Sequence, residues 1–314
     1  MDTDLDKIIS NVTSIEMITE GLLSTLQTFG RERIVFKNLR VSHSEYYNGL
    51  EWLDEAYCER NHISMEYNEK TGMVIVNLPA SAVHCICQKV FVYWLDEIVD
   101  SQPDANLVAY HEAVVANLRK TPDAALRHEE ETYPIIAVEV GFTDTLDEMF
   151  DAARELFRHS HGVTQVVILL KIYEVGRVQL KGGPWGLTET EIRAKAADRS
   201  LPQAVVNWHK ENNINVVGDL KVCLYVWGPE RKHPPPNPIW EFKTGPSIGS
   251  SNEGLFRQNM RNPFLDHDFR LKILGGSFPL PVERIREGLK KAINAEMVTR
   301  VIQYLYRHRY LRKD

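Results

Sequence analysis

The chain has 314 residues, 43% of them apolar and 25% charged, with a formal net charge of −6. These are ordinary values for a globular chain, and the length allows one large domain or two of common size. No run of 18 apolar residues occurs, so no membrane-spanning helix is expected, and the overall negative charge by itself argues against a polyanion partner.

The distribution of charge changes that view. Residues 1–150 hold 11 Lys+Arg against 26 Asp+Glu, a net −15, and residues 151–314 hold 26 against 17, a net +9. Two readings stand side by side: a polyanion-binding face in the back half, or two halves that complement each other. The acidic start Met1-Asp-Thr-Asp-Leu-Asp6 lacks the basic and apolar regions of a signal peptide, so an intracellular protein, nuclear or cytoplasmic, is expected. Cys58, Cys85, Cys87 and Cys223 form no CxxC pair, which argues for reduced, mostly buried thiols rather than a zinc site or a disulfide framework.

In chain order, Leu5, Ile8, Ile9, Val12, Ile15, Ile18, Leu22, Leu23 and Leu26 recur at helical spacing, which predicts an amphipathic helix over 4–29 ending at Gly30. Its role would be packing or dimerisation. Residues 33–41 read as a strand, and Ser42 or Ser44 as the cap of a helix carrying Leu50, Leu53 and Tyr57. Met65–Tyr67 and Met73–Val76 flank turn residues and predict a β-hairpin. A helix follows from about Ala82 to Val99, then a strand over 107–118.

Next comes the stretch that carries chemistry. Asp123 follows Pro122 on a short segment, and 16 positions later Glu139 sits inside the apolar run Ile135-Ile-Ala-Val-Glu-Val140. That run is too short for a helix and rich in β-branched residues, so it reads as a buried central strand. A carboxylate is seldom buried unless something pairs with it or coordinates it. Asp123 and Glu139 on adjacent strands would suit a hard divalent cation such as Mg²⁺. The plainer alternative is a strand glutamate at a sheet edge or paired with an arginine. Thr145 and Glu148 have capping-box spacing ahead of a helix that Gly162 closes, and 166–172 is a second buried strand.

Residues 177–180 are read as pairing with that strand, 182–186 as a loop, 188–212 as helical with a break near Pro202, and 216–227 as a long strand. The prolines of 232–238 suggest a boundary, 245–254 a Gly/Ser-rich segment and 269–274 a strand. Pro281 opens a final helix with an apolar stripe from Ile285 to Leu305 and a basic end.

The run Gly72-Met-Val-Ile-Val-Asn-Leu-Pro-Ala-Ser-Ala-Val-His84, then Pro122-Asp123, Val138-Glu-Val140 and His161-Gly-Val163, resembles the PD-(D/E)XK nuclease superfamily. The nearer likeness is to the restriction-endonuclease-like proteins of cyanobacteria. Val-Glu-Val-Gly with a strand ending in Lys171-Ile172 also looks like a group of fungal nuclease-like proteins. The resemblance covers about residues 63–180. It implies an α/β (α+β) fold: a restriction-endonuclease-like central mixed sheet flanked by helices, with an N-terminal helix and a C-terminal helical extension. The resemblance says little about 1–40 or 231–314; joined to the chain-order reading above, the expected organisation is an N-terminal helical or oligomerisation segment over 1–40, a nuclease-like domain over 41–230 and a Pro-rich linker with a basic extension over 231–314. The implied function is Mg²⁺- or Mn²⁺-dependent hydrolysis of phosphodiester bonds, in DNA more than RNA. Asp123, Glu139 and the Val140 carbonyl would hold the metal, His84 would lie near the site, and a homodimer could form through the first helix.

One departure bears on activity. The superfamily has Glu-x-Lys, whereas the residue two past Glu139 is Gly141. Lys171 and Arg154 are the candidates to supply the missing cation; an arginine keeps its charge but is a poor proton acceptor. A catalytically silent binding module on the same fold is therefore the rival reading, with an adaptor that oligomerises through the first helix as a third. His84 is otherwise an exposed or cap-associated histidine, and Glu129-Glu-Glu131 a solvated loop. No Walker loop, GxGxxG, GxSxG or HExxH competes.

Overall fold

The computed structural model of the chain divides into two compact units, Met1–Ser81 and Ala82–Asp314. The structure describes residues 3–27, 33–36, 38–42, 44–46, 63–68, 72–77, 81–111, 121–142, 144–176, 180–231, 233–244, 255–256, 262–308 and 310–311. The division falls inside the stretch expected to be one nuclease-like domain, and 231–314 belongs to the same unit as 82–230.

In the first unit the single helix expected over 4–29 is three pieces: α1 (Thr3–Ser10), a 3₁₀ turn (Ile15–Met17) and α2 (Glu20–Gln27). Asn11-Val-Thr-Ser14 are weak helix formers, and Thr19 restarts the helix by accepting the Leu22 N–H on its hydroxyl at 3.2 Å. The break lets Val12, Ile15, Ile18, Leu23 and Leu26 turn inward onto Ile34, Phe36, Val74 and Val76. Those last residues lie on or beside a three-stranded antiparallel sheet of order β1-β3-β2, with β1 Arg33–Val35, β2 Ser64–Asn68 and β3 Met73–Asn77. Most of the apolar stripe expected to drive self-association is thus buried within its own unit. The hairpin is as expected; the strand over 33–41 is shorter. Ser42 and Glu45 form a reciprocal cap, with Ser42 N–H donating to Glu45 Oε2 at 2.7 Å. Leu50, Leu53 and Tyr57 lie outside the described residues.

The second unit is built on a seven-stranded sheet of order β10-β9-β8-β7-β6-β5-β4. Its strands are β4 Leu107–His111, β5 Ala124–His128, β6 Ile136–Gly141, β7 Val166–Val175, β8 Asp219–Trp227, β9 Trp240–Lys243 and β10 Leu255–Phe256. All neighbours are antiparallel except β6 and β7, which α4 (Leu146–His159) joins as a parallel crossover. This mixed sheet flanked by helices is compatible with a restriction-endonuclease-like fold. Thr145 and Glu148 form the expected capping box. Among the described residues of this unit the other α-helices are α3 (Ala82–Asp100), α5 (Glu189–Ala197), α6 (Leu201–Glu211) and α7 (Val282–Arg307). The break between α5 and α6 precedes Pro202, which sits in the first turn of α6, where its missing N–H costs nothing.

Two further expectations are corrected. Residues 232–238 are no boundary: they lie in the connection between antiparallel neighbours β8 and β9. Prolines suit this connection because it owes no ladder hydrogen bonds. Leu180 lies outside any strand, and 177–179 lie outside the described residues. A second hairpin, β11 (Arg270–Ile273) with β12 (Gly276–Pro279), turns through Leu274 and Gly275, both at positive φ.

One core gathers Ile136, Val138, Val140, Ile168, Leu170, Val222 and Leu224 of the sheet with residues of α3, α6 and α7. α7 approaches α3 closely at Gly288, where a Cβ would come within 2.8 Å of Ile86. Arg300 of α7 clasps Glu174 through both Nη atoms at 2.6 and 2.9 Å and Glu296 through Nε at 2.9 Å. This pins α7 to the end of β7, with the buried charges paired as burial requires. Burial also pushes the Cys87 thiol up, so it stays protonated inside the core; Cys85 is exposed. No described helix is long and apolar enough to cross a membrane.

Candidate active site

Strand β6 is buried at every position, from Ile136 to Gly141. Val138 and Val140 face the larger core, while Ala137 joins Met149, Phe150, Val167, Leu169, Tyr225 and Trp227 in a smaller core beneath α4. Glu139 shares the α4 side, since side chains alternate along a strand. It is 4% exposed, so a carboxylate sits inside the protein.

Asp123 precedes β5, one step beyond the pair Ala124↔Val138. Its Oδ2 accepts the Val140 N–H at 2.6 Å, and its Oδ1 lies 3.1 Å from His84 Nε2. A strand residue sends its N–H and C=O the same way, so the Val140 carbonyl also points to the Asp123 side. The structure thus puts Asp123 directly against the residue that follows Glu139.

His84 is 7% exposed, in the first turn of α3, which corrects the view of it as a surface or cap residue. One turn on, Gln88 is buried and donates from Nε2 to the Asp123 carbonyl at 2.9 Å. The sequence reading missed Gln88. Its only signal is the i, i+4 spacing from His84, which puts both on one helix face.

Lys171 is opposite Gly141 in the parallel register of β6 and β7 and is 4% exposed. Its Nζ donates to the carbonyls of Phe142 and Ile172 at 3.1 Å and of Gly141 at 3.4 Å. A buried ammonium therefore sits at the C-terminal end of β6, on the same sheet face as Glu139. Gly141, at the motif's lysine position, is crowded: a Cβ would lie 2.4 Å from Met149 Sδ, so a side chain there would force the buried Met149 side chain to shift. The cation reaches this end of β6 from the neighbouring strand.

Arg154 is not brought to this end. It is on the exposed side of α4, ion-paired with Asp151 and 5.9 Å from the Trp227 ring centre. Trp227 pairs with Val167, four residues or about 13 Å along β7 from Lys171. Glu129, Glu130 and Glu131 are exposed, in and just after the turn that follows β5.

The donor types are those of a hard cation: two carboxylates and the Val140 carbonyl are all oxygen ligands, the kind Mg²⁺ and Mn²⁺ prefer. Both Asp123 oxygens already accept or face a hydrogen-bond partner, but a carboxylate offers about four lone-pair sites. Among the described residues, the group of three ligand-type side chains close enough to share an ion is Asp266, His267 and Asp268, on the surface.

No protein-family model and no curated protein match the chain. A solved structure that matches is "a putative nuclease belonging to DUF820" from Anabaena variabilis, 17% identical, with a TM-score of 0.26. The match covers 34% of this chain and 66% of that one. At that score the likeness decides neither fold nor activity.

Proposed function

We propose that the protein is a metal-dependent nuclease that hydrolyses phosphodiester bonds, in DNA rather than RNA. The observation that supports this reading is that Asp123 accepts the N–H of Val140, the residue after buried Glu139, and that Lys171 donates to the Gly141 carbonyl at the end of the same strand. Asp123, Glu139 and the Val140 carbonyl would hold Mg²⁺ or Mn²⁺. Such an ion, when bound, lowers the pKa of a coordinated water and screens the phosphate. The protein's own residues do the rest. His84 and Gln88 hold Asp123 in one orientation, through its carboxylate and its backbone carbonyl. Lys171 supplies fixed positive charge in a water-poor setting, where charge stabilisation is strongest. A second reading, a silent nucleic-acid- or protein-binding module, is favoured by the engagement of both Asp123 oxygens and by the crowding at Gly141.

The test is incubation of plasmid, linear and single-stranded DNA with Mg²⁺, Mn²⁺ or EDTA, using wild type and Glu139→Gln. The expected result is metal-dependent cleavage that Glu139→Gln abolishes while the circular dichroism spectrum stays unchanged. Cleavage that survives this substitution rejects the site. No cleavage with either metal favours the silent module.

A further inference from the structure

The sheet face that carries Glu139 and Lys171 continues as a polar surface onto β8 and β9. The register sets Tyr173 opposite Lys221, Leu169 opposite Tyr225, Cys223 opposite Glu241 and Lys221 opposite Lys243. Residues directly opposite project to the same side, so Lys171, Tyr173, Lys221, Tyr225, Glu241 and Lys243 share one face. A cleft of about 400 Å³ lies there, with Tyr173, Lys221, Tyr225, Asn237 and Glu241 in its lining.

The cleft is contiguous with the candidate site, because Lys171 Nζ is 4.9 Å from the Tyr173 ring centre. Tyr225 is held edge-on by Phe150, with ring centres 5.6 Å apart. Glu241 is flanked by Lys221 at 3.2 Å and Lys243 at 3.9 Å. Lys221 and Lys243, 35% and 64% exposed, therefore sit on neighbouring strands about 5 Å apart beside the Tyr173 ring, while Lys171 and Tyr225 are buried. Cations beside an aromatic ring are how proteins follow a single-stranded backbone and stack its bases. The volume falls within the range of small-ligand pockets. A base inside a duplex is stacked and paired, and cannot enter a cleft of this kind without being turned out.

We propose that this cleft seats an unstacked nucleobase of a single strand, one position from the phosphate at Asp123, Glu139 and Lys171. The placement beside a scissile phosphate rests on the nuclease reading; the seating of the base does not.

The test is fluorescence anisotropy in EDTA with a labelled single-stranded oligonucleotide and its matched duplex, using the full chain. The single strand should bind at least tenfold more tightly than the duplex. Tyr173→Ala should weaken single-strand binding by about tenfold or more, the typical loss of one stacking platform, while Tyr173→Phe keeps it. Lys221→Gln with Lys243→Gln should reduce the salt slope by about one to two. Equal or tighter duplex binding overturns the proposal, as does a Tyr173→Ala variant that binds like wild type. Tyrosine-dependent single-strand binding without cleavage in Mg²⁺ or Mn²⁺ would sink the nuclease reading and leave the cleft. Glu139-dependent cleavage with no strand preference would sink the cleft alone.

Discussion

On one face of the seven-stranded sheet, Ile136, Val138, Val140, Ile168 and Leu170 lie in an apolar core with residues of α3, α6 and α7. On the other face, the same strands are apolar only beneath α4, where Met149, Phe150, Ala153 and Leu156 meet Val167, Leu169 and Trp227. Past that patch the face turns polar: Tyr173, Lys221, Glu241 and Lys243 follow one another across β7, β8 and β9, while Glu139 and Lys171 stay buried. The difference teaches where ionisable groups sit on this sheet. The exposed ones concentrate where one short helix stops covering it. A helix of 14 residues spans about 21 Å, while β7 alone, at ten residues, spans about 33 Å.

The comparison can be broken first on its apolar side. Ile168→Ala should cost about 2–5 kcal/mol in urea denaturation, the usual loss for a fully buried branched side chain, and leave specific activity per folded molecule unchanged. A loss under about 0.5 kcal/mol would mean that this face is not the structural one. On the polar side, Lys171→Met should lower cleavage by about two to three decades, whereas Arg154→Met should leave it within twofold. Single-turnover rates decide it, and the reverse ranking would move the cation's role to α4.

Where the two sides of the comparison meet, Gly141→Ala should cost about 1–3 kcal/mol, because its Cβ would overlap Met149. Combining it with Met149→Ala should recover part of the loss at this contact, measured as a double-mutant cycle. Additive losses would show that the two positions do not touch. Thr145→Ala should cost about 1 kcal/mol by removing the cap of α4, with thermal unfolding as the readout; no change would mean that water replaces the cap.

The smallest effect concerns α5. Hydrogen bonds from Thr188, the backbone N–H foremost, hold the Glu191 carboxyl below its ordinary value of 4.5. A depressed carboxylate stabilises the fold above its unfolded pKa, and the contribution fades as pH falls through the lower folded value. Protection factors of the first-turn amides of α5, measured against intrinsic exchange at each pH, should therefore fall on acidification below about pH 4.5. Protection factors that stay flat across that window would discard the capping assignment.

The charge asymmetry of the chain also looks different against the fold. Counted by structural unit, residues 1–81 hold 7 Lys+Arg against 13 Asp+Glu, and 82–314 hold 30 against 30. Several cations of the basic tail are taken up locally. Arg284 pairs with Glu97 at 2.7 Å, and Arg300 with Glu174 and Glu296. A basic half in the sequence is not a basic surface.

The sequence by itself determined the hairpin, α3, the Thr145 capping box, the apolar strands β6 and β7 and the odd carboxylate within β6. Each follows from chemistry a few residues wide: turn residues, cap spacing and β-branched runs. Glu139 stood out as a candidate because it is a charge in an apolar run, and Asp123 because it follows Pro122. The tertiary structure alone decided the rest. β6 is covered on both faces, so it shows no alternation, and only the register reveals that Glu139 and Lys171 lie on one side. The His84 and Gln88 contacts to Asp123 join residues 35 or more positions apart, and no local pattern encodes them. The split of the first helix was hidden for a related reason: its apolar spacing suits a continuous helix, but the inward turn at Asn11–Ser14 is dictated by the small sheet it packs on. Local propensity proposes an element; burial against a distant partner decides where it stops and which side chains meet.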